Sequence, residues 1–400
     1  MNIKKQLKLI FTLDFLGSFN LTDTVWMLLL VARGFTLWEA GVAEGVFHLV
    51  SCCCEIPSGM LADVFGRRRV MVASWAAFVC ASAMMLYSNT LLGVCVAMGL
   101  NALGYNLSSG TREALTYDSL LEAEREEEYL KISSWQNVIW RGTSAVCRLM
   151  AGVALRLGYR ICYGLHLCTS VVGGITAAAL QEAKPGGEQE TAVPKPKNLW
   201  QLPQAMMKQT KETLHFLRQT PLACLYMLAA SGLGGFITLT GFFVQQHLVE
   251  HGAGGTALLG PILFGISLGG VAGAKLAIPL AKLRHRNAVL ICGILSAAGV
   301  ALCSSPLPAV CVAGGFFMMI CDEALCTLTD ARLNQLFPSA QRATLVSVFS
   351  MSFSLVMVVL SPLVGAWCGL WGTGVAFALC AGVMLAATLA GRLWVGYLLK

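Results

Sequence analysis

The sequence predicts an all-α membrane protein with twelve transmembrane helices in two pseudo-symmetric six-helix halves and both termini cytoplasmic. Three observations predict it. Of the 400 residues, 56% are hydrophobic and only 12% charged, with a mean hydropathy of +0.69, whereas soluble globular proteins carry about 25% charged residues. Apolar runs of about 20 residues, enough for a helix to cross a hydrocarbon core of about 30 Å, recur along the chain between short polar breaks. One long polar interruption, residues 181–221, has six runs on either side.

The first run, 7–32, follows a basic opening, MNIKKQLKLIFTLDF. Asp14 and Asp23 lie inside it and no small-residue cleavage site follows, so it is read as a retained helix rather than a signal peptide. Spans at 38–61, 70–88, 91–113, 133–156 and 161–180 complete an N-terminal half, 1–180. Those at 222–247, 256–280, 287–304, 309–331, 343–368 and 373–395 form the C-terminal half, 222–400. The interruption begins as a Pro- and Gly-rich linker and continues as a basic amphipathic helix carrying Leu199, Leu202, Met206, Leu214 and Leu217, suited to the inner membrane surface. REALTYD at 112–118 and DEALCTLTD at 322–330 end the fourth span of each half, a weak internal repeat. A duplicated six-helix unit is a transporter architecture, its substrate site expected between the halves near the bilayer midplane.

Lysines and arginines set the orientation, because positive loops resist translocation. Lys4, Lys5, Lys8, Arg67, Arg68, Arg69, Lys282, Arg284 and Arg286 fall on the side of the N-terminus; the opposite side holds only Arg33, Arg156 and Arg160. The net charge of +7 is therefore a topology signal and implies no nucleic-acid partner. Most of the 16 cysteines lie within spans, which argues against a disulfide framework. Cys52, Cys53 and Cys54 point about 100° apart in a helix, so they read as packing residues and not as one metal site.

Ionisable groups inside spans are costly and mark candidate function. Asp23, Glu44, His48 and Arg148 fall near mid-membrane and are expected as a central cluster; Asp14, Glu55, Arg112, Glu113 and Arg141 are expected as an inner one. Asp14 and Asp23 are about half a turn out of phase and face one cavity only if the first helix bends, with Gly17 the candidate hinge. Asn101, Tyr105 and Ser108 run in a stripe to Arg112 on the fourth span; Thr238 and Gln245 on the seventh and Asp322, Glu323 and Thr327 on the tenth supply further polar lining. Such groups line a water-filled pathway or make interhelical hydrogen bonds, and the neutral ones fit both roles equally. A buried carboxylate holds its proton unless a cation pairs with it, which supplies a coupling device. Asp23, Glu44, His48 and Asp322 or Glu323 are the candidate proton carriers.

GMLADVFGRRRVM, 59–71, lies between the second and third spans. It resembles the signature loop of the major facilitator superfamily, G-x-L-A-D-x-x-G-R-[RK]-x-x-L, with Gly59, Asp63, Gly66, Arg67 and Arg68 in place, Val64 where many members have a cation, and Met71 for the last leucine. E-x-P-[TS]-G ahead of the loop and SGTREALTYDSL resemble a bacterial branch, many of whose members are assigned to drug efflux; LNQLFPSAQRATLVS, 333–347, is similar to the superfamily's loop between the tenth and eleventh spans. The resemblance implies that Asp63 caps a helix N-terminus in the second half and that Arg67 or Arg68 pairs with Asp118, holding an inner gate shut. Drug–proton antiporters of this family often carry Gly-Pro-x-x-Gly-Gly in the fifth span. RGTSAVCRLMAGVALRLG has no proline, and SPLVG at 361–365 is the nearest match, so the resemblance implies transport more firmly than its direction.

The expected protein is a monomeric, multi-pass transporter of the bacterial cytoplasmic membrane, exporting a small amphipathic or drug-like compound in exchange for protons. Proton-linked uptake or facilitated passage of an organic anion, bound by Arg112, Arg141 or Arg148, is the alternative. A membrane-embedded enzyme and a non-transporting sensor are less favoured: the sequence shows no nucleophile–base motif, metal-ligand spacing or phosphate loop, and it retains both the loop signature and the polar lining. No cofactor is expected.

Overall fold

The computed structural model describes residues 1–182, 221–253, 256–336 and 342–398, with isolated positions between 201 and 218. The expected amphipathic linker helix and part of the 333–347 loop lie outside the described residues. Among those described, every regular element is helical: α1 (Ile3–Ser18), α2 (Leu21–Val31), α3 (Leu37–Phe65), α4 (Arg67–Tyr87), α5 (Leu91–Glu122), α6 (Tyr129–Leu149), α7 (Ala151–Ala178), α8 (Pro221–Leu248), α9 (Thr256–Leu280), α10 (His285–Cys303), α11 (Pro308–Leu336), α12 (Arg342–Trp371) and α13 (Thr373–Leu398). Helices occupy all twelve predicted spans. Among the described residues nine are long and apolar enough to cross a membrane, and α10 is a shorter apolar helix.

Local chemistry explains where helices start and break. Asn2 and Thr90 accept the third following N–H to cap α1 and α5, each at 3.2 Å. Thr36 and Glu39 form a capping box before α3: the Thr36 N–H donates to Glu39 Oε2 at 2.8 Å and the Glu39 N–H to Thr36 Oγ1 at 3.2 Å. The first span does bend, but at Phe19–Asn20 and again at Val25 rather than at Gly17. Asn20 causes the first break by accepting the Thr22 N–H at 3.0 Å and its hydroxyl at 2.6 Å, which starts a new helix. The fifth-span segment breaks between α6 and α7, and the turn into the sixth span is Gly158 inside α7, at φ +76°.

Two compact units divide the chain. The first comprises Met1–Thr24, Val46–Cys147 and Leu157–His215; the second comprises Val25–Gly45, Arg148–Arg156 and Phe216–Lys400. In the first, α1, α4, α5 and α7 close around Trp75, packed with Ile10, Leu13, Met71, Leu115, Ala177 and Leu180. In the second, α9 lies against α11 through Gly269 and Gly273, where a Cβ would collide with the Phe316 and Ile320 carbonyl oxygens. This is the small-residue spacing that lets membrane helices touch backbone to backbone. The 16 cysteines are free thiols.

Candidate functional site

The turn between α3 and α4 is built on Gly66, whose φ of +89° is open to glycine and strained for other residues. It starts α4 at Arg67. The Glu182 carboxylate caps that start, accepting the N–H of Arg67 at 2.6 Å and of Arg68 at 3.0 Å, where the helix carries partial positive charge. The Arg67 guanidinium pairs with Asp118 and donates to the Ala114 carbonyl, both on α5, and the Arg68 Nε donates to the Ala178 carbonyl of α7 at 3.1 Å. Arg67 and Asp118 are thus brought together, with Asp118 5% exposed. Asp63 belongs to α3, but its side chain lies outside the described residues; Gly59 has open space around its Cα. Beyond α5, Arg125 donates to both oxygens of Glu128, at 2.6 and 2.7 Å, which holds that carboxyl below the usual carboxylate range. The pair is solvent-exposed, so its small contribution, present at neutral pH, fades as pH falls through the lowered value.

A second cluster joins α1, α5 and α6. Asp14 is fully buried; Arg112 Nη1 lies 3.2 Å from its Oδ1 and Gln136 Nε2 donates to its Oδ2 at 2.9 Å. The Arg112 guanidinium also sits 4.8 Å over the Trp140 ring, a cation–π contact. Asp14 and Arg112 therefore meet, whereas Glu55 is half-buried on α3, and Glu113 and Arg141 are exposed. On α3, Glu44 and His48 lie one turn apart and are both buried; Asp23 on α2 and Arg148 on α6 are exposed. Glu44 and Arg148 belong to the second unit, Asp23 and His48 to the first.

The neutral lining divides in the same way. Tyr105 and Thr327 are exposed, Asn101, Ser108 and Thr238 half-buried and Gln245 buried. On α11, Asp322 and Glu323 diverge: the Asp322 carboxyl faces Gly234 of α8, while Glu323 lies against Gly270 and Gly273 of α9. Within the second unit, α3 and α12 meet through glycines. A Cβ on Gly41 would collide with the Ser361 carbonyl, and one on Gly365 would stand 2.6 Å from the Leu37 carbonyl oxygen. In the same unit a Cβ on Gly260 of α9 would collide with the carbonyl of Leu149 at the end of α6.

A model of the Major Facilitator Superfamily matches residues 9–288 and 276–399, nearly the whole chain. The chain belongs to that superfamily. The inner membrane transport protein YajR of Escherichia coli K12 is 24% identical over 144 residues, 36% of this chain and 30% of YajR. An uncharacterized transporter of Buchnera aphidicola is 25% identical over 116 residues, 29% of each chain, so the matched stretch spans under a third of either relative. Among solved structures, the nucleoside transporter NupG superposes with a TM-score of 0.76 at 13% identity, covering 98% of both chains. A POT family transporter in complex with 5-aminolevulinic acid gives 0.70 at 12% identity, covering 100% of both. At these identities the likeness shows a shared fold.

Several residues of this superfamily member act where the sequence reading did not look. Glu182 was hidden because it lies 115 residues from the helix it caps, inside a segment read as linker. Gln136 and Trp140 lie one turn apart on α6 and are neutral, so the charge pattern did not mark them. Asn106, which donates to Ser51 Oγ at 2.9 Å, lies on the side of α5 away from the Asn101–Arg112 stripe. Lys275 is an ionisable residue inside a predicted span, and that alone was a signal to include it.

Proposed function

We propose that this superfamily member is a twelve-crossing secondary transporter with both termini inside, working by alternating access in the bacterial cytoplasmic membrane. It exports a small amphipathic or drug-like compound in exchange for protons, as a monomer. One observation carries the reading: near its start α3 touches α12 backbone to backbone, Gly41 against the Ser361 carbonyl and Gly365 against the Leu37 carbonyl. A contact with no side chain between the two backbones is one that helix tilting can make and break, as alternating access requires. Buried Glu44 and His48 on the same helix, with Asp322 and Glu323 on α11, are the proposed proton carriers. The resemblance adds Asp63 to the inner gate.

Inverted membrane vesicles test the direction. A pH gradient, acid inside, drives accumulation of an exported dye such as ethidium; failure of the gradient to drive any of a panel of amphipathic compounds, with anion uptake in whole cells, overturns export. That second outcome has its own support, because Arg141 and Arg148 are exposed while the charge of Arg112 is matched by Asp14. The inner gate is tested apart from the substrate class. Asp63→Asn is expected to cut flux severalfold while expression and folding stay normal; unchanged flux would make the loop only a positive anchor.

A further inference from the structure

The end of α8 carries a feature outside every element of the proposed transport cycle. Its sequence is His247-Leu-Val-Glu250-His251, and the chain there leaves the α-helix for one π-turn, Val249–Ala253, closed by Gly252 at φ +86°. Such turns recur at functional sites. One ligand atom from each of His247, Glu250 and His251 lies within 4.8 Å of the others, and the two imidazole centroids are 4.2 Å apart.

Hydrogen bonds to backbone carbonyls fix which nitrogens carry lone pairs. A backbone carbonyl only accepts, so His247 Nε2 carries a proton toward the Ser305 carbonyl at 2.9 Å, and His251 Nδ1 carries one toward the His247 carbonyl at 2.9 Å. In the neutral rings the remaining nitrogens, His247 Nδ1 and His251 Nε2, carry lone pairs, that of His247 Nδ1 accepting from the Thr373 hydroxyl at 2.7 Å. A histidine whose second nitrogen donates to a carbonyl is the usual arrangement of a metal ligand, because that bond fixes tautomer and ring orientation. The Thr373 hydroxyl at the start of α13 stands 2.7 Å from His247 Nδ1 and 3.1 Å from Glu250 Oε2; its single proton serves one of them at a time, and a cation on His247 Nδ1 takes that hydroxyl's place. His247 is 2% exposed and held in place, while Glu250 and His251 are exposed, so the set has a rigid base and an entry path.

We propose that His247, Glu250 and His251 form a binding site for a borderline first-row cation, Zn²⁺ above all. Two imidazoles and one carboxylate suit Zn²⁺, with a fourth position left to solvent. Ligand atoms around Zn²⁺ stand about 3.4 Å apart, so a cluster whose ligand atoms lie within 4.8 Å of one another draws in on binding. With the N-terminus inside, the site faces the extracytoplasmic side, where the cation would brace the end of α8. The expectation that the sequence holds no metal-ligand spacing passes over the H-x-x-E-H run at 247–251.

Titration of the full-length, detergent-purified protein with Zn²⁺, and separately with Co²⁺ as a visible probe, tests the site. The wild type is expected to bind one Zn²⁺ per chain that His251→Ala and Glu250→Gln each weaken at least tenfold, and to give Co²⁺ d–d bands without a sulfur charge-transfer band. Because His251 and Glu250 are exposed, both variants should fold, as their unfolding temperatures without metal will show. No binding by the folded wild type, wild-type affinity in both variants, or a Co²⁺ spectrum of thiolate type would each overturn the proposal.

Discussion

Arg112→Ala is expected to destabilise the protein by about 3–5 kcal/mol, the cost of leaving a buried charge without its partner. The loss should exceed that of Asp14→Ala. Asp14 is fully buried, so losing the guanidinium strands a carboxylate that water cannot reach; Arg112 is 27% exposed and keeps its stacking on Trp140, so losing Asp14 strands a cation that water can partly solvate. The double variant should be more stable than the sum of the two losses implies, by roughly 1–3 kcal/mol of coupling. Thermal unfolding of the four proteins in one detergent measures this cycle, and strict additivity would show that the two charges do not stabilise each other. Gln136→Leu adds a check on the third member, since it removes the 2.9 Å hydrogen bond and leaves the ion pair in place.

Gly41→Leu is expected to reduce flux about fivefold or more with little loss of folded protein. Even a Cβ there would collide with the Ser361 carbonyl, so a leucine must push α3 and α12 apart. Overpacking of this kind costs about 1–3 kcal/mol, which shifts the balance between contact made and contact broken by about five- to 150-fold. Gly260→Leu should act alike, because α9 meets the end of α6 in the same manner. Under the proposed duplication the two contacts would be counterparts: second span with eleventh, and eighth span with fifth. A substitution of equal size at Gly110, where a Cβ meets nothing within 4 Å, should leave flux near normal.

Much of the fold was legible because long apolar runs form helices, and every predicted span contains helix. The breaks were less so. Asn20 two residues before Thr22 is a helix-start signal, yet it sits inside an apolar run whose hydropathy masks it. At the candidate site, the resemblance pointed to Arg67 with Asp118, while charge spacing pointed to Asp14 and Arg112 in one cluster without saying that they pair. What stayed illegible depends on helix-to-helix register. Of 41 glycines, nothing in the sequence singles out Gly41, Gly260 and Gly365 as the points where backbones touch. SPLVG drew notice for a missing motif, whereas its Gly365 matters here for its contact with Leu37.

Alternating access as proposed requires the contact between α3 and α12 to be made in one state and broken in another. Spin labels placed by Trp38→Cys on α3 and Leu370→Cys on α12, both exposed positions near that contact, report the distance directly once the reactive native thiols are replaced. Pulsed dipolar spectroscopy in lipid nanodiscs at acid and alkaline pH should give a short and a long population whose ratio changes with pH, and Gly41→Leu should deplete the short one. A single distance, identical at both pH values and in the variant, would contradict alternating access through this contact.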